Sequence, residues 1–466
     1  MTPQRHVDVL IVGGGPAGST AAIRLLAKGI RPLIVERERF PRYHIGESMT
    51  GECGRILREL GFADRIRAAG HQTKYGVVVQ GTRKGSEWWV PVMARLEDGT
   101  LQEQPTYQVR RSTFDQMLLD EATSRGAEVL CGRAVAPLRS DDGSIVRGAE
   151  IELPDGSRLQ VEADMTLDCS GQAGFLSAHK VTGPKYLGAY DKQVAVFSQV
   201  DNYIRNDGSD RIRHPGNTHI HYKHKYHWAW AIPIDDQITS IGIVIPSQYL
   251  IDSRESKEDF ILRELRELSP GLSARIPEPR LVEPGHVIPN FSFQVRNFAG
   301  RGYICLGDAH RFIDPIFSFG LYIAIVEAGL AADVTARYLA GQGRDAGDPL
   351  FRDYMLHIEH GVDILEDVID MFWENPLAFT VLVNARSFRE AMIDVFAGRI
   401  FGGMRHKGRD EALASCRKAL KRERNYDEAD LLSVPIGSRF HPERAPLWNS
   451  ELDSVETTER WMRDLA

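Results

Sequence analysis

One stretch near the N-terminus constrains the fold more than any other. Val7-Asp-Val-Leu-Ile-Val12 is a short apolar run, rich in β-branched residues, that leads directly into Gly13-Gly-Gly-Pro-Ala-Gly18. A helical stretch to Lys28 follows, then Gly29 and a second apolar run, Pro32-Leu-Ile-Val-Glu36. Strand, tight turn, helix and strand make a βαβ unit. Within it the Gly13-x-Gly15-x-x-Gly18 spacing has a physical meaning. Gly13 permits the sharp turn, Gly15 lets backbone amides approach a pyrophosphate at the helix N-terminus, and Gly18 allows helix and strand to pack closely. Glu36 closes the second strand 18 residues after Gly18, where a carboxylate can hold ribose hydroxyls. A glycine turn with no ligand is the simpler rival; the βαβ context and the terminal acid argue against it.

The chain around this unit has 466 residues, enough for two or three domains with ample core. Its net charge of −7 argues against a general nucleic-acid binder, which needs a broad cationic face. The cysteines Cys53, Cys131, Cys169, Cys305 and Cys416 stand singly with no CxxC pair, so neither a zinc ribbon nor a disulfide framework is indicated, and a reducing cytoplasm is expected. Met1-Thr-Pro-Gln-Arg-His lacks an apolar signal core. The most apolar later stretch, Pro315 to Val326, is shorter than the roughly 20 residues of a membrane span, so no transmembrane helix is expected.

Downstream, Gly51 to Ala69 reads as helix, Tyr75 to Val92 as β-rich, and Thr113 to Arg125 as a helix with Phe114, Met117, Leu118 and Ala122 on one face. Asp141-Asp-Gly143 and Pro154-Asp-Gly156 mark turns between short strands in 127–168. Gln193 to Ile245 is sheet-like, Arg301-Gly-Tyr-Ile-Cys-Leu-Gly-Asp308 is a buried strand ending in Gly-Asp, and Ser318 to Leu339 is a long apolar helix. After Pro349 the pattern is helical. Four histidines, His219, His221, His224 and His227, crowd one stretch without a completing carboxylate or cysteine, which favours solvated or substrate-lining side chains over a metal site. Met404 to Asn425 is locally basic in an acidic chain, by default a solvated helix face and otherwise a dock for an acidic partner.

Two distant segments extend the first motif. Val109-Arg-Arg-Ser-Thr-Phe-Asp115, and Gly307-Asp308 followed by Asp314-Pro315, resemble the FAD-dependent monooxygenase superfamily. The resemblance implies an α/β fold: a Rossmann-like FAD-binding domain (1–72, 105–185 and 280–345), a sheet-rich substrate domain (73–104 and 186–279) and a C-terminal helical region (346–466). It implies cofactor contacts at Gly13, Gly15, Ala17, Gly18, Glu36, Ser48, Arg111 and Asp308.

Three further segments resemble the flavin-dependent halogenases, nearer to the phenol and pyrrole type than to the tryptophan type. His227-Trp228-Ala-Trp230-Ala-Ile-Pro233 is similar to that family's Trp-x-Trp-x-Ile-Pro motif. Two indoles separated by one residue share a strand face, and Trp228, Trp230 and Pro233 would wall off the flavin. Gly46-Glu-Ser48 and Thr73-Lys74-Tyr75-Gly76 match the place of the family's lysine. By that resemblance Lys74 holds hypohalous acid against an electron-rich ring, its ammonium donating to the departing oxygen. Asp314-Pro-Ile-Phe-Ser318-Phe319-Gly320 resembles the halide segment, with the amides of Phe319 and Gly320 beside Ser318 as halide ligands.

Three departures stand out: His227 where a glycine is usual, Phe319 in place of a second serine, and Phe317 where the tryptophan halogenases carry glutamate. The implied enzyme takes reduced FAD from a separate reductase, with O2 and chloride or bromide, to halogenate a phenol or pyrrole, free or tethered to an acidic carrier protein. It would be a cytoplasmic monomer or homodimer with no metal, nucleic-acid or membrane partner. The bulk of Phe319 keeps an FAD monooxygenase or dehydrogenase as the alternative, and a non-enzymatic flavin-binding protein is the third.

Overall fold

The computed structural model describes residues 3–401 apart from 83–86, 96–99, 184, 188–191, 225, 346, 375–378, 380–382 and 384–388. The basic stretch 404–425 lies outside the described residues. Five helices matter for the site: α1 Pro16–Leu26, α2 Gly51–Glu59, α3 Arg111–Ser124, α4 Gly320–Leu339 and α5 Leu350–Glu374.

The βαβ unit forms as its pattern predicts, at the centre of an eight-stranded sheet. The opening strand Gln4–Val12 pairs in parallel with Pro32–Glu36 on one side and Arg158–Asp168 on the other. Arg158–Asp168 pairs in parallel with Tyr303–Cys305, so a strand from late in the chain completes the layer. Their buried, β-branched residues suit a sheet covered on both faces. Because the pairings are in parallel register, the carboxyl ends at Val12, Glu36, Asp168 and Cys305 open on one edge, the edge where open α/β sheets bind ligands. The segment 127–168 adds the antiparallel strands Arg133–Arg139 and Val146–Glu152.

A seven-stranded sheet stands beside it. Its order is His286–Pro289, Gln193–Val200, Thr239–Pro246, His227–Pro233, Thr218–His224, Gly76–Gln80 and Trp88–Pro91. Alternation splits its side chains between two cores. Phe197, Ile220, Trp228, Trp230 and Val244 join the large core shared with the first sheet, while Val196, Ala229, Ala231 and Ile243 pack on the far side against Phe260, Leu265 and Leu272.

Two expected boundaries shift for backbone reasons. Gly51 to Ala69 is two helices, Gly51–Glu59 and Ala63–Ala68, because Gly61 between them is in the left-handed region at φ +87°. The long apolar helix starts at Gly320 and not Ser318, since Ser318 adopts φ +60°.

Candidate active site

The glycine turn is closed to any side chain. A Cβ on Gly13 would lie 2.4 Å from the Cys169 carbonyl oxygen, and one on Gly18 would lie 1.9 Å from the Gly13 carbonyl oxygen. Gly13 also holds φ +106°, which an L side chain rarely adopts. Gly15 is the N-cap of α1 and no side chain caps it, so the first helical amides are left for an anion. Ala17 is buried in the first turn of α1. The Glu36 carboxylate accepts from the Gly14 amide at 2.6 Å and from the Glu38 amide at 2.8 Å, fixing it at the rim of this cradle. Arg42, which sequence reasoning did not single out, reaches within 3.3 Å of where a Gly15 Cβ would stand, and its Nη1 lies 3.3 Å from Asp115 Oδ2. A cradle that excludes side chains, uncapped helix amides and a poised guanidinium fit the pyrophosphate of FAD.

Arg111 opens α3 as expected, with its donors engaged by protein. Its Nε and Nη2 pair with Asp115 at 2.7 and 3.0 Å, and Nη1 donates to the carbonyls of Ile45 and Gly46 at 2.5 and 3.3 Å. It therefore ties the 45–48 strap to α3. Asp308 follows the strand Tyr303–Cys305; desolvation pushes its carboxyl up to about 6, held back by the Arg111 guanidinium.

Lys74 ends the strand Gln72–Lys74, which pairs antiparallel with Thr106–Gln108. It is 3 % exposed, and its Nζ donates to Ser48 Oγ at 2.8 Å and to the Met49 carbonyl at 3.1 Å. Burial pushes the ammonium down to about 7, so the group exchanges a proton near neutrality. Ser48, read from the sequence as a cofactor contact, is a partner of the lysine here and also meets Thr218 Oγ1 at 3.3 Å.

Thr218 shares a strand face with Ile220, and Ile220 lies directly across from Trp230. The tryptophan pair thus stands on the side of the sheet that Thr218 presents to Ser48. The two indoles are 6.0 Å apart between centroids, and Trp230 Nε1 donates to Ser240 Oγ at 3.2 Å. Trp230 lies flat over Gly242, where a Cβ would come within 2.0 Å of the ring. Pro233 ends the strand, paired with Thr239.

The histidine cluster corrects its sequence reading. His219 and His221 are buried and face the opposite side of this sheet, where Tyr203 Oη meets them at 2.8 and 3.3 Å. Burial lowers both imidazoles, which stay neutral. His227 is buried there too, on Glu264 at 2.7 Å. These side chains are neither solvated nor substrate-lining, because strand alternation sends them to the second core.

The segment 307–320 is held from both ends. His310 bridges Glu327 of α4 at 2.9 Å and Glu359 of α5 at 3.0 Å, and Arg311 meets Glu359, Asp363 and Glu366 along one stripe of α5. Phe317 packs against Phe372, Phe379 and Phe396. Between these anchors, Asp314 Oδ1 accepts from the Ile316 amide at 2.8 Å, and Phe319 precedes Gly320 with no side chain capping α4.

Residues 6–348 match the family described as FAD binding domain. The chain is 35 % identical over 401 residues to a 1H-pyrrole-2-carbonyl-[peptidyl-carrier protein] brominase of Pseudoalteromonas luteoviolacea, covering 86 % of this chain and 94 % of that one. It belongs to the flavin-dependent halogenases. A further member of the family, a 1H-pyrrole-2-carbonyl-[peptidyl-carrier protein] chlorinase of Pseudomonas fluorescens, is 27 % identical over 420 residues, 85 % of this chain and 90 % of its own. The solved structure of the flavin-dependent brominase Bmp2 superposes with a TM-score of 0.80 at 35 % identity, covering 89 % of this halogenase and 98 % of the brominase. The protein is thus an FAD-dependent oxidoreductase that uses halide, and halogenation takes precedence over the monooxygenase, dehydrogenase and non-enzymatic readings. Among the described residues no helix is long and apolar enough to cross a membrane.

Proposed function

We propose that this halogenase acts on a pyrrole ring carried as an acyl group on a peptidyl carrier protein, with reduced FAD delivered by a separate reductase. Support for that substrate is the likeness to the pyrrole-carrier brominase and chlorinase over most of both chains. The observation that carries the chemistry is the buried Lys74 ammonium on Ser48, facing the side of the sheet that bears Trp230.

FAD, when bound in reduced form, supplies hypohalous acid from O2 and halide. Gly13, Gly15, Ala17, Gly18, Glu36 and Arg42 would hold its dinucleotide half, with Asp308 toward the ribityl chain and Arg111 bracing the strap behind it. The amides of Phe319 and Gly320, beside Ser318, form the halide seat. Trp228 and Trp230 keep the organic substrate away from the flavin, whereas Pro233, out of phase with them, ends their strand on the other face.

At Lys74 the ammonium donates to the hypohalite oxygen. As the ring attacks the halogen, the oxygen–halogen bond breaks with its electron pair on oxygen, which takes the ammonium proton and leaves as water. The neutral amine then accepts the proton that the ring gives up, restoring the ammonium. A lysine brought down to about 7 serves both halves of this exchange. The division into a discontinuous FAD domain (1–72, 105–185, 280–345), a substrate domain (73–104, 186–279) and a C-terminal helical region (346–466) is part of the same proposal.

The test is turnover of a pyrrolyl-loaded carrier with FAD, reductase and O2, with and without bromide or chloride, read by mass spectrometry. Halide-dependent halogen incorporation is expected. Halide-independent gain of one oxygen would contradict the reading.

A further inference from the structure

The N-terminus of α4 offers free amides, as every helix does. What sets this one apart is Asp314. Its side chain is buried; Oδ1 caps the following turn through the Ile316 amide, whereas Oδ2 is buried without a hydrogen-bond partner. The Trp373 indole comes close enough to lower this carboxyl's pKa but falls short of hydrogen-bond geometry. Asp314 lines a cavity of about 10 Å3 together with Phe319, Gly320 and Ile323. A space of that size holds one monatomic or water-sized occupant.

A bare, buried carboxylate oxygen is costly, and burial pushes Asp314 up to about 7. Ionised, it would repel an anion seated on the Phe319 and Gly320 amides. Protonated, the same side chain is an O–H donor that lacks an acceptor. An anion in this small cavity supplies one, and a proton entering with it leaves the buried site with no added net charge.

We infer that halide binding is coupled to uptake of one proton at Asp314, whose O–H completes the seat that the Phe319 and Gly320 amides begin. This rests on the proposed halide seat and adds a ligand and a pH dependence to it. The other charged groups facing the cavity are Asp308 and Arg311. Arg311 is held by Glu359, Asp363 and Glu366 from α5, and His310 lies between Glu327 of α4 and Glu359. Of the groups at or beside this cavity Asp308 titrates lower, at about 6, and His310 higher, at about 9, which leaves Asp314 as the one changing charge between them; Lys74, also at about 7, does not line it.

The experiment titrates chloride into the FAD-loaded, full-length protein from about pH 6 to 9. Binding is read by chloride NMR line-broadening and proton uptake by an indicator dye in weak buffer. The expected dissociation constant is flat at low pH and rises about tenfold per pH unit well above 7, with close to one proton taken up per chloride at pH 8. Asp314→Asn, which keeps the shape and a permanent donor, should hold the low-pH affinity within about twofold across the range. A flat wild-type curve with no proton uptake overturns the coupling, and that measurement needs no variant. A slope that persists in D314N overturns the assignment to Asp314. Absence of chloride binding at every pH would instead overturn the halide seat itself.

Discussion

Lys74 Nζ sits 2.8 Å from Ser48 Oγ, and this contact joins two segments 26 positions apart that carry the most diagnostic polar residues of the chain. The serine is the hinge of the arrangement, because it also meets Thr218 on the sheet that bears the tryptophans. Burial, with the neutral Ser48 hydroxyl and Met49 carbonyl as its hydrogen-bond partners, is what loosens the proton of this lysine.

That looseness predicts a pH profile. With halide saturating, the donor form of Lys74 is lost as pH rises through about 7, so the halogenation rate should fall on the alkaline side. Lys74→Arg cannot deprotonate. It should flatten that limb and, having no base to take the ring proton, lower kcat by about 100-fold or more. Stopped-flow product formation across pH checks both.

Gly18→Ala should remove FAD binding altogether. The added methyl would collide with the Gly13 carbonyl oxygen, which is backbone and cannot rotate away. Gly15→Ala meets only the flexible end of Arg42 at 3.3 Å and should weaken FAD binding much less. Flavin absorbance retained after gel filtration distinguishes the two.

Gly242→Ala pushes directly on the Trp230 ring, and overpacking of this kind costs roughly 1–3 kcal/mol. Since Gly242 touches the wall from behind, the variant should keep FAD and the Lys74 contacts yet leak oxidant. The expected readout is a higher ratio of NADH consumed to halogenated product, measured alongside thermal melting.

His310 contributes stability with a defined sign. Burial opposes its charge, but the Glu327 and Glu359 carboxylates prevail and raise it to about 9 from its ordinary 6.5. A raised histidine stabilises fully below the unfolded value, and that contribution is lost as pH climbs through the folded one. The difference in Tm between wild type and His310→Gln should therefore be largest near pH 6 and shrink toward pH 9. Arg311→Ala removes the buried guanidinium that faces Glu359, Asp363 and Glu366, at a cost of about 3–5 kcal/mol.

The sequence disclosed what is local. The βαβ unit, its glycines and Glu36 lie within 30 residues, and turn geometry dictates each one. The tryptophan pair was legible because strand alternation alone puts both indoles on one face. Lys74 was reached through resemblance, since nothing in Thr73-Lys74-Tyr75 marks the lysine as buried; the strand partner and Ser48 do that from elsewhere in the chain. Arg42 gave no signal beyond being a cation after Phe40-Pro41. The histidines misled because the face that His219, His221 and His227 share is the one turned away from the tryptophans, and a helical layer behind the sheet buries them there, away from the site. The acidic stripe of α5 reads as an ordinary amphipathic helix until Arg311 and His310, some 48 positions earlier, are set against it.

The most direct measurement compares wild type with Lys74→Ala on a pyrrolyl-loaded carrier protein, using FAD, reductase, O2 and bromide, with a β-diketone present to trap escaping hypobromous acid. Wild type should give brominated pyrrolyl carrier. K74A should bind FAD normally and brominate the diketone while leaving the pyrrole unmodified. Bromination of the carrier-bound pyrrole by K74A at the wild-type rate would contradict the role assigned to the buried lysine.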